Sequence, residues 1–111
     1  MKVKELSEAL ELEVLSMPEP DREICGGYVG DLLSWVMGRA QADNLWITIM
    51  TNINVLAVAS LSDVSAVVIA EGAEIDAEII RKAEEQGINL LRSKLPAYET
   101  AIAAGKLISL Q

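Results

Sequence analysis

Histidine and phenylalanine are both missing from this 111-residue chain, and cysteine occurs once, at Cys25. Without an imidazole there is no ordinary general base near neutral pH and the commonest zinc ligand is gone, which argues against Ser-His-Asp catalysis and zinc chemistry. A single thiol cannot close an internal disulfide. Beside glycines, with no histidine partner and acidic surroundings, Cys25 reads as inert. Basic residues are scarce: nine Lys and Arg stand against seventeen Asp and Glu, a formal net charge of −8. That balance repels phosphate backbones and anionic lipid surfaces, so no nucleic acid and no membrane is expected as a partner. No apolar run is long enough to span a bilayer, and the opening Met1-Lys2-Val3-Lys4-Glu5 has no apolar signal core, which points to the cytoplasm. A phosphate loop of the Gly-x-x-x-x-Gly-Lys-Ser/Thr type is also absent, and no metal cluster or cofactor is expected.

What is present is apolar and regularly spaced. Apolar residues make up 51% of the chain, and 111 residues are most simply one domain, 1–111. Val3, Leu6 and Leu10 predict a short amphipathic helix over 3–9, and Glu11-Leu12-Glu13-Val14-Leu15 alternates like an edge strand stopped by Pro18 and Pro20. Leu45 to Met50 and Val64 to Ala70 predict two buried strands, with a helix over 55–61 between them, capped from Thr51 to Asn54; together they form a parallel βαβ unit. Residues 75–87 predict the clearest helix, with Asp76 as N-cap, Ile75 and Ile80 as a staple, a Glu78–Lys82 pair and Gly87 past the end. Ile88 to Leu91 then predicts a fourth strand, and Pro96 opens a last helix ended by Gly105. This alternation predicts a layered α/β sandwich with a mostly parallel sheet of four to five strands.

The stretch from Asp21 to Gly38 organises the rest. Gly26, Gly27 and Gly30 predict a tight turn with positive φ, feeding a helix over 31–37 in which only Ser34 is polar between Leu32 and Met37. Such a turn either packs against the helix or cradles an anion on free N–H groups, and Asp31 competes with that anion for the same donors. Thr51, Asn52 and Asn54 follow a buried strand at its carboxyl end, where they either cap a helix or touch a ligand. The candidate ligand-binding set is therefore Gly26, Gly27, Asp31, Ser34, Thr51, Asn52 and Asn54, with no catalytic and no metal-binding residue. The helices 31–37 and 55–61 are apolar all round, so each is core on one side and a candidate subunit contact on the other, with Trp35 and Val58 in that contact.

Asp21-Arg22, Gly26-Gly27-Tyr28, Asp31-Leu32-Leu33-Ser34, Val36-Met37-Gly38, Trp46-Ile47-Thr48, Thr51 with Asn54, and Ala57-Val58-Ala59, in that order, resemble the DRTGG domain family, most of all its stand-alone bacterial members. The likeness runs from Lys2 to about Leu107. It implies a regulatory or binding module similar in fold to the N-terminal domain of HPr kinase. The HPr-kinase-like label such proteins carry belongs to a separate catalytic domain, and here an acid, Asp31, stands where a phosphate loop places lysine. Two positions depart from the family pattern: Asn52, where histidine is usual, and Cys25, where a small or hydroxyl residue is usual. The expected function is a non-catalytic regulatory module for a nucleotide or phosphorylated metabolite, acting as a homodimer or larger. The alternatives are a domain that docks a partner enzyme without a small molecule, and a phosphoryl-transfer enzyme.

Overall fold

The computed structural model describes residues 1–108. Ten elements follow one another: α1 (Val3–Ala9), β1 (Glu13–Ser16), β2 (Gly27–Val29), α2 (Leu33–Arg39), β3 (Leu45–Thr48), α3 (Asn54–Ser62), β4 (Ala66–Ile69), α4 (Ala77–Glu85), β5 (Leu90–Arg92) and α5 (Ala97–Leu107). The five strands form one sheet in the order β1-β5-β4-β3-β2, parallel except for β1, which pairs antiparallel with β5 at one edge. The α/β sandwich and its mostly parallel sheet are as the residue pattern predicts.

Period-two alternation sorts the strand side chains onto two faces. Trp46, Val67, Ile69 and Leu90 pack with Val36 of α2, with Val55, Leu56, Val58 and Ala59 of α3, and with Ile79 and Ala83 of α4. Leu45, Ile47, Ala66, Val68 and Leu91 pack on the other side with Val3 and Leu6 of α1 and Ala104 of α5. The result is three layers, with β3 and β4 covered on both faces and buried throughout.

Residues 17–26 carry the chain from the β1 edge to the β2 edge, and their backbone is held by side chains. Asn89, only 2% exposed, accepts from Glu19 N (2.9 Å) and donates to the carbonyls of Glu19 (2.8 Å) and Ser65 (2.9 Å). Arg22 Nη2 donates to Asp43 Oδ1 (3.0 Å), Asp63 Oδ1 (2.8 Å) and the Asp63 carbonyl (2.7 Å). Both aspartates have positive φ, 68° and 56°, a conformation that short polar side chains tolerate.

Several boundaries differ from expectation. The glycine stretch is not only a turn: Gly27 to Val29 is an edge strand paired with β3, because three extended residues beside Leu45 to Ile47 gain ladder bonds that a free turn lacks. The following helix starts at Leu33 and ends at Arg39 instead of spanning 31–37. The last helix runs through Gly105 to Leu107, with Pro96 at the N-cap; Gly105 meets open space, so nothing there forces a stop. The Asp76 side chain makes no cap bond.

Candidate functional site

The ends of β2 and β3 are stitched together by Asp31. Its Oδ1 accepts from Thr48 Oγ1 at 2.8 Å and from Ile49 N at 2.9 Å, and Thr48 Oγ1 in turn accepts from Met50 N at 3.2 Å. One residue earlier, Gly30 donates to the Ile47 carbonyl (3.2 Å) and accepts from Trp46 Nε1 (2.9 Å). The carboxylate expected to compete for the N-terminus of α2 is thus spent on the neighbouring loop, and Leu32 takes the N-cap position without a side-chain bond. Ser34 lies exposed in the first turn of α2.

Thr51, Asn52 and Asn54 form the β3–α3 connection. Asn52 Oδ1 accepts from Asn54 N at 2.9 Å and the Asn52 carbonyl from Val55 N at 3.1 Å, a local turn that opens α3 much as a cap would. Thr51, Asn52 and Ile53 line an open cleft of about 520 Å³ against Asp76, the N-cap of α4, and against Glu78 and Lys82 along that helix. Lys82 stands 3.9 Å from Glu78, so its charge is partly neutralised within the cleft wall.

Gly26 and Gly27 lie at the other end of β2 and do not join that cleft. Gly26 has φ 69°, and a Cβ there would sit 3.3 Å from Asn44 Nδ2. Gly27 does not have positive φ; a Cβ on it would meet the Leu45 carbonyl oxygen at 3.2 Å. The seven candidate residues are therefore split between the two ends of the sheet. Strand direction explains this: β2 and β3 run parallel, so the residues that open β2 lie at the opposite end of the sheet from those that follow β3. From β2 to β5 each strand lies beside its predecessor, so helices α2, α3 and α4 all cover one face and the parallel run has no point where the order reverses. The crevice that such a reversal opens is missing.

The far side of α2 is bare, as expected of a candidate contact, whereas that of α3 departs at Val58. Only Val36 of α2 is buried, while Leu32, Trp35 and Met37 are 59%, 53% and 51% exposed. Val58 of α3, by contrast, is buried in the core, so the contact expected to include it cannot. Arg39 covers the Trp35 ring, its guanidinium carbon 3.8 Å from the centroid.

The residues missed from sequence are those that lock the chain between β1 and β2. Arg22 was visible as part of a motif, but its partners Asp43 and Asp63 lie 21 and 41 residues away. Burial works against the Arg22 charge, and the bonds to Asp63 and Asp43 more than offset it, raising its pKa. The hydrogen bond from Lys4, and then its charge and that of Lys2, hold the Asp21 carboxyl below the ordinary range; the same Asp21 bond raises Lys4.

The DRTGG domain family matches residues 29–107, and the chain belongs to that family. No curated protein matches the chain. Among solved structures, it is similar to the crystal structure of the CBS and DRTGG domains of the regulatory region of Clostridium perfringens pyrophosphatase, complexed with its activator diadenosine tetraphosphate. The TM-score is 0.68 at 14% identity, over 92% of this chain and 45% of that one. At that identity the likeness concerns the fold. The chain spans less than half the length of that structure.

Proposed function

We propose that this domain is a non-catalytic regulatory module that works as a homo-oligomer through α2 and binds a small molecule. The observation that carries the reading is the apolar surface α2 leaves bare, Leu32 and Trp35 together at i,i+3 and Met37 on the opposite flank. Leu32, Trp35 and Met37 are each about half exposed, and withdrawing a large apolar side chain from water contributes about 1.5–3 kcal/mol. Half-exposed groups contribute about half of that each, so Leu32 and Trp35 on two facing copies supply about 3–6 kcal/mol, and the surface around them must supply the rest of the roughly 8 kcal/mol of a micromolar complex and the cost of association. Charge favours a second copy as the occupant. Helices α2 and α3 carry one charged residue between them, Arg39, whereas the whole chain stands at −8; like-charged copies meet best where neither presents carboxylates. Light scattering tests this: the wild type gives a dimer or larger mass, and Trp35→Glu gives a monomer with an unchanged circular dichroism spectrum. A monomer mass for the wild type across the accessible concentrations overturns it.

The small-molecule part is supported by the open cleft beside Thr51 and Asn52 and by the nucleotide activator bound in the regulatory region of similar fold. The missing phosphate loop and histidine support a non-catalytic role. A thermal-shift screen with diadenosine tetraphosphate, mononucleotides and sugar phosphates is expected to raise the melting midpoint with at least one compound, by about 2.7 kcal/mol of stability at one hundred times Kd. Association without any shift supports instead a domain that docks protein alone.

A further inference from the structure

We infer that the pocket between the start of β2 and the end of α2 is an oxyanion site, taking the phosphate or carboxylate group of a small molecule. The inference rests on the ligand-binding part of the proposed function and names a place and a chemistry for it. A cavity of about 250 Å³ is bordered there by Cys25, Gly26, Gly27, Arg39, Gln41 and Asn44, with no Asp or Glu in its wall. In a chain with seventeen acids, that is a local reversal of sign.

Arg39 supplies the positive charge. Among the described residues, Arg22, Arg81 and Arg92 each have a carboxylate within 4 Å, and Arg39 has none. Its guanidinium instead lies over Trp35 at 3.8 Å. Stacking uses the face of the guanidinium and leaves the N–H groups on its rim free for an acceptor in the same plane, the geometry that a phosphate or carboxylate matches. It also fixes the group before a ligand arrives, which lowers the ordering entropy of binding.

The backbone provides the second donor. Gly26 accepts from Leu45 N and Gly30 donates to the Ile47 carbonyl, so the ladder to β3 uses alternate residues and turns the N–H of Gly27 outward along the free edge. Asn44 is the scaffold of the pocket: its Nδ2 donates to the Cys25 carbonyl at 2.8 Å and its Oδ1 accepts from Gln41 N at 2.9 Å. That fixes the amide as part of the wall, with its second N–H left as a donor beside Arg39, Gly27 and the Gln41 side chain. Trp35 also belongs to the α2 face, which makes occupancy of this pocket and self-association share a residue and hence a coupling free energy.

The chain has two tryptophans, and this makes the test direct. Trp46 is fully buried and bonded to the Gly30 carbonyl, a constant background against which Trp35 reports its surroundings. The full chain is titrated with inorganic phosphate and, separately, with acetate at constant ionic strength while tryptophan emission is followed. A saturable change is expected in one arm or both, and the arm that saturates distinguishes phosphate from carboxylate. Arg39→Met weakens the response by about tenfold or more, Arg39→Lys weakens it less because charge without the planar fork remains, and Lys106→Met leaves it unchanged. Amide spectra add a readout independent of the substituted residue: in the wild type the Gly27 and Gln41 resonances shift with anion. No saturable change with either anion, an equal response from Arg39→Met, or shifts confined to other residues overturns the site. If diadenosine tetraphosphate raises the midpoint of Arg39→Met as much as that of the wild type, the proposed module stands and this site falls.

Discussion

Gly27 and Asp31 show how single positions in the organising stretch act through atoms far along the chain. Gly27 has ordinary backbone dihedrals, and what requires glycine is the Leu45 carbonyl 3.2 Å from the position of a Cβ. A valine there must push β2 away from β3. Gly27→Val is therefore expected to lower the melting midpoint, and an unchanged midpoint would show that the edge strand gives way at no cost. Asp31 acts through a charged acceptor: removing its Oδ1 leaves Ile49 N and the Thr48 hydroxyl without their partner. Hydrogen bonds to charged groups contribute about 1.5–3 kcal/mol. Asp31→Ala is expected to lower stability by about that amount in denaturant titration and to speed hydrogen exchange at Ile49, whereas a loss below about 0.5 kcal/mol would mean that water replaces the carboxylate.

Among the elements, α2 and α3 look alike in sequence and differ in place. Both are apolar nearly all round, yet α3 buries Val55, Leu56, Val58 and Ala59 while α2 buries Val36 alone. The difference comes from the sheet beneath. Helix α3 crosses between β3 and β4, the two strands buried on both faces, whereas α2 connects the three-residue edge strand β2 to β3 and has half a sheet to cover. Substitutions separate the two. Val58→Glu places a carboxylate in the core and is expected to abolish the cooperative melting transition, because a buried charge without a partner costs several kcal/mol. Trp35→Glu is expected to leave the midpoint of the monomeric fold within a few degrees and to act on association. A folded Val58→Glu protein would contradict the core assignment.

For the molecule as a whole, the chain between β1 and β2 closes the fold by reaching across the sheet. Arg22 joins the loops before β3 and before β4 through Asp43 and Asp63. Arg22→Leu strands these acceptors and is expected to lower the melting midpoint by roughly 5–15 °C, from about 1.5–3 kcal/mol of charged hydrogen bonding. The Lys4–Asp21 pair gives a pH signature of known sign. Asp21 has its pKa lowered and Lys4 has its raised, so the carboxylate's contribution is present above the ordinary Asp value and fades as pH falls through its folded value. The lysine's contribution is present below the ordinary Lys value and is lost as pH rises through its folded value. Asp21→Asn is thus expected to lower the midpoint slightly at pH 7 and to match the wild type in acid. A difference that persists in acid would place the effect outside this pair, which is exposed and sensitive to salt.

Sequence by itself determined the α/β class, the parallel strands β3 and β4 and the extent of α1, because hydrophobic period is local and survives any tertiary arrangement, whereas the Asp76 cap and the Gly105 stop did not. The family, too, was legible from short motifs in order. It also marked Gly26, Gly27, Asp31, Thr51, Asn52 and Asn54 as special, but only the tertiary structure decided what each one does. Parallel pairing of β2 with β3 set Gly26 and Gly27 at the opposite end of the sheet from Thr51 and Asn52, and pairing is a long-range property that residue spacing does not encode. The same holds for Arg39: its stacking on Trp35 follows from i,i+4 spacing on α2, but its place beside the Cys25–Gly27 backbone exists only once β2 has paired with β3. The difference between α2 and α3 was likewise beyond the sequence, since an all-apolar helix reads the same whether a sheet covers it or an edge leaves it bare.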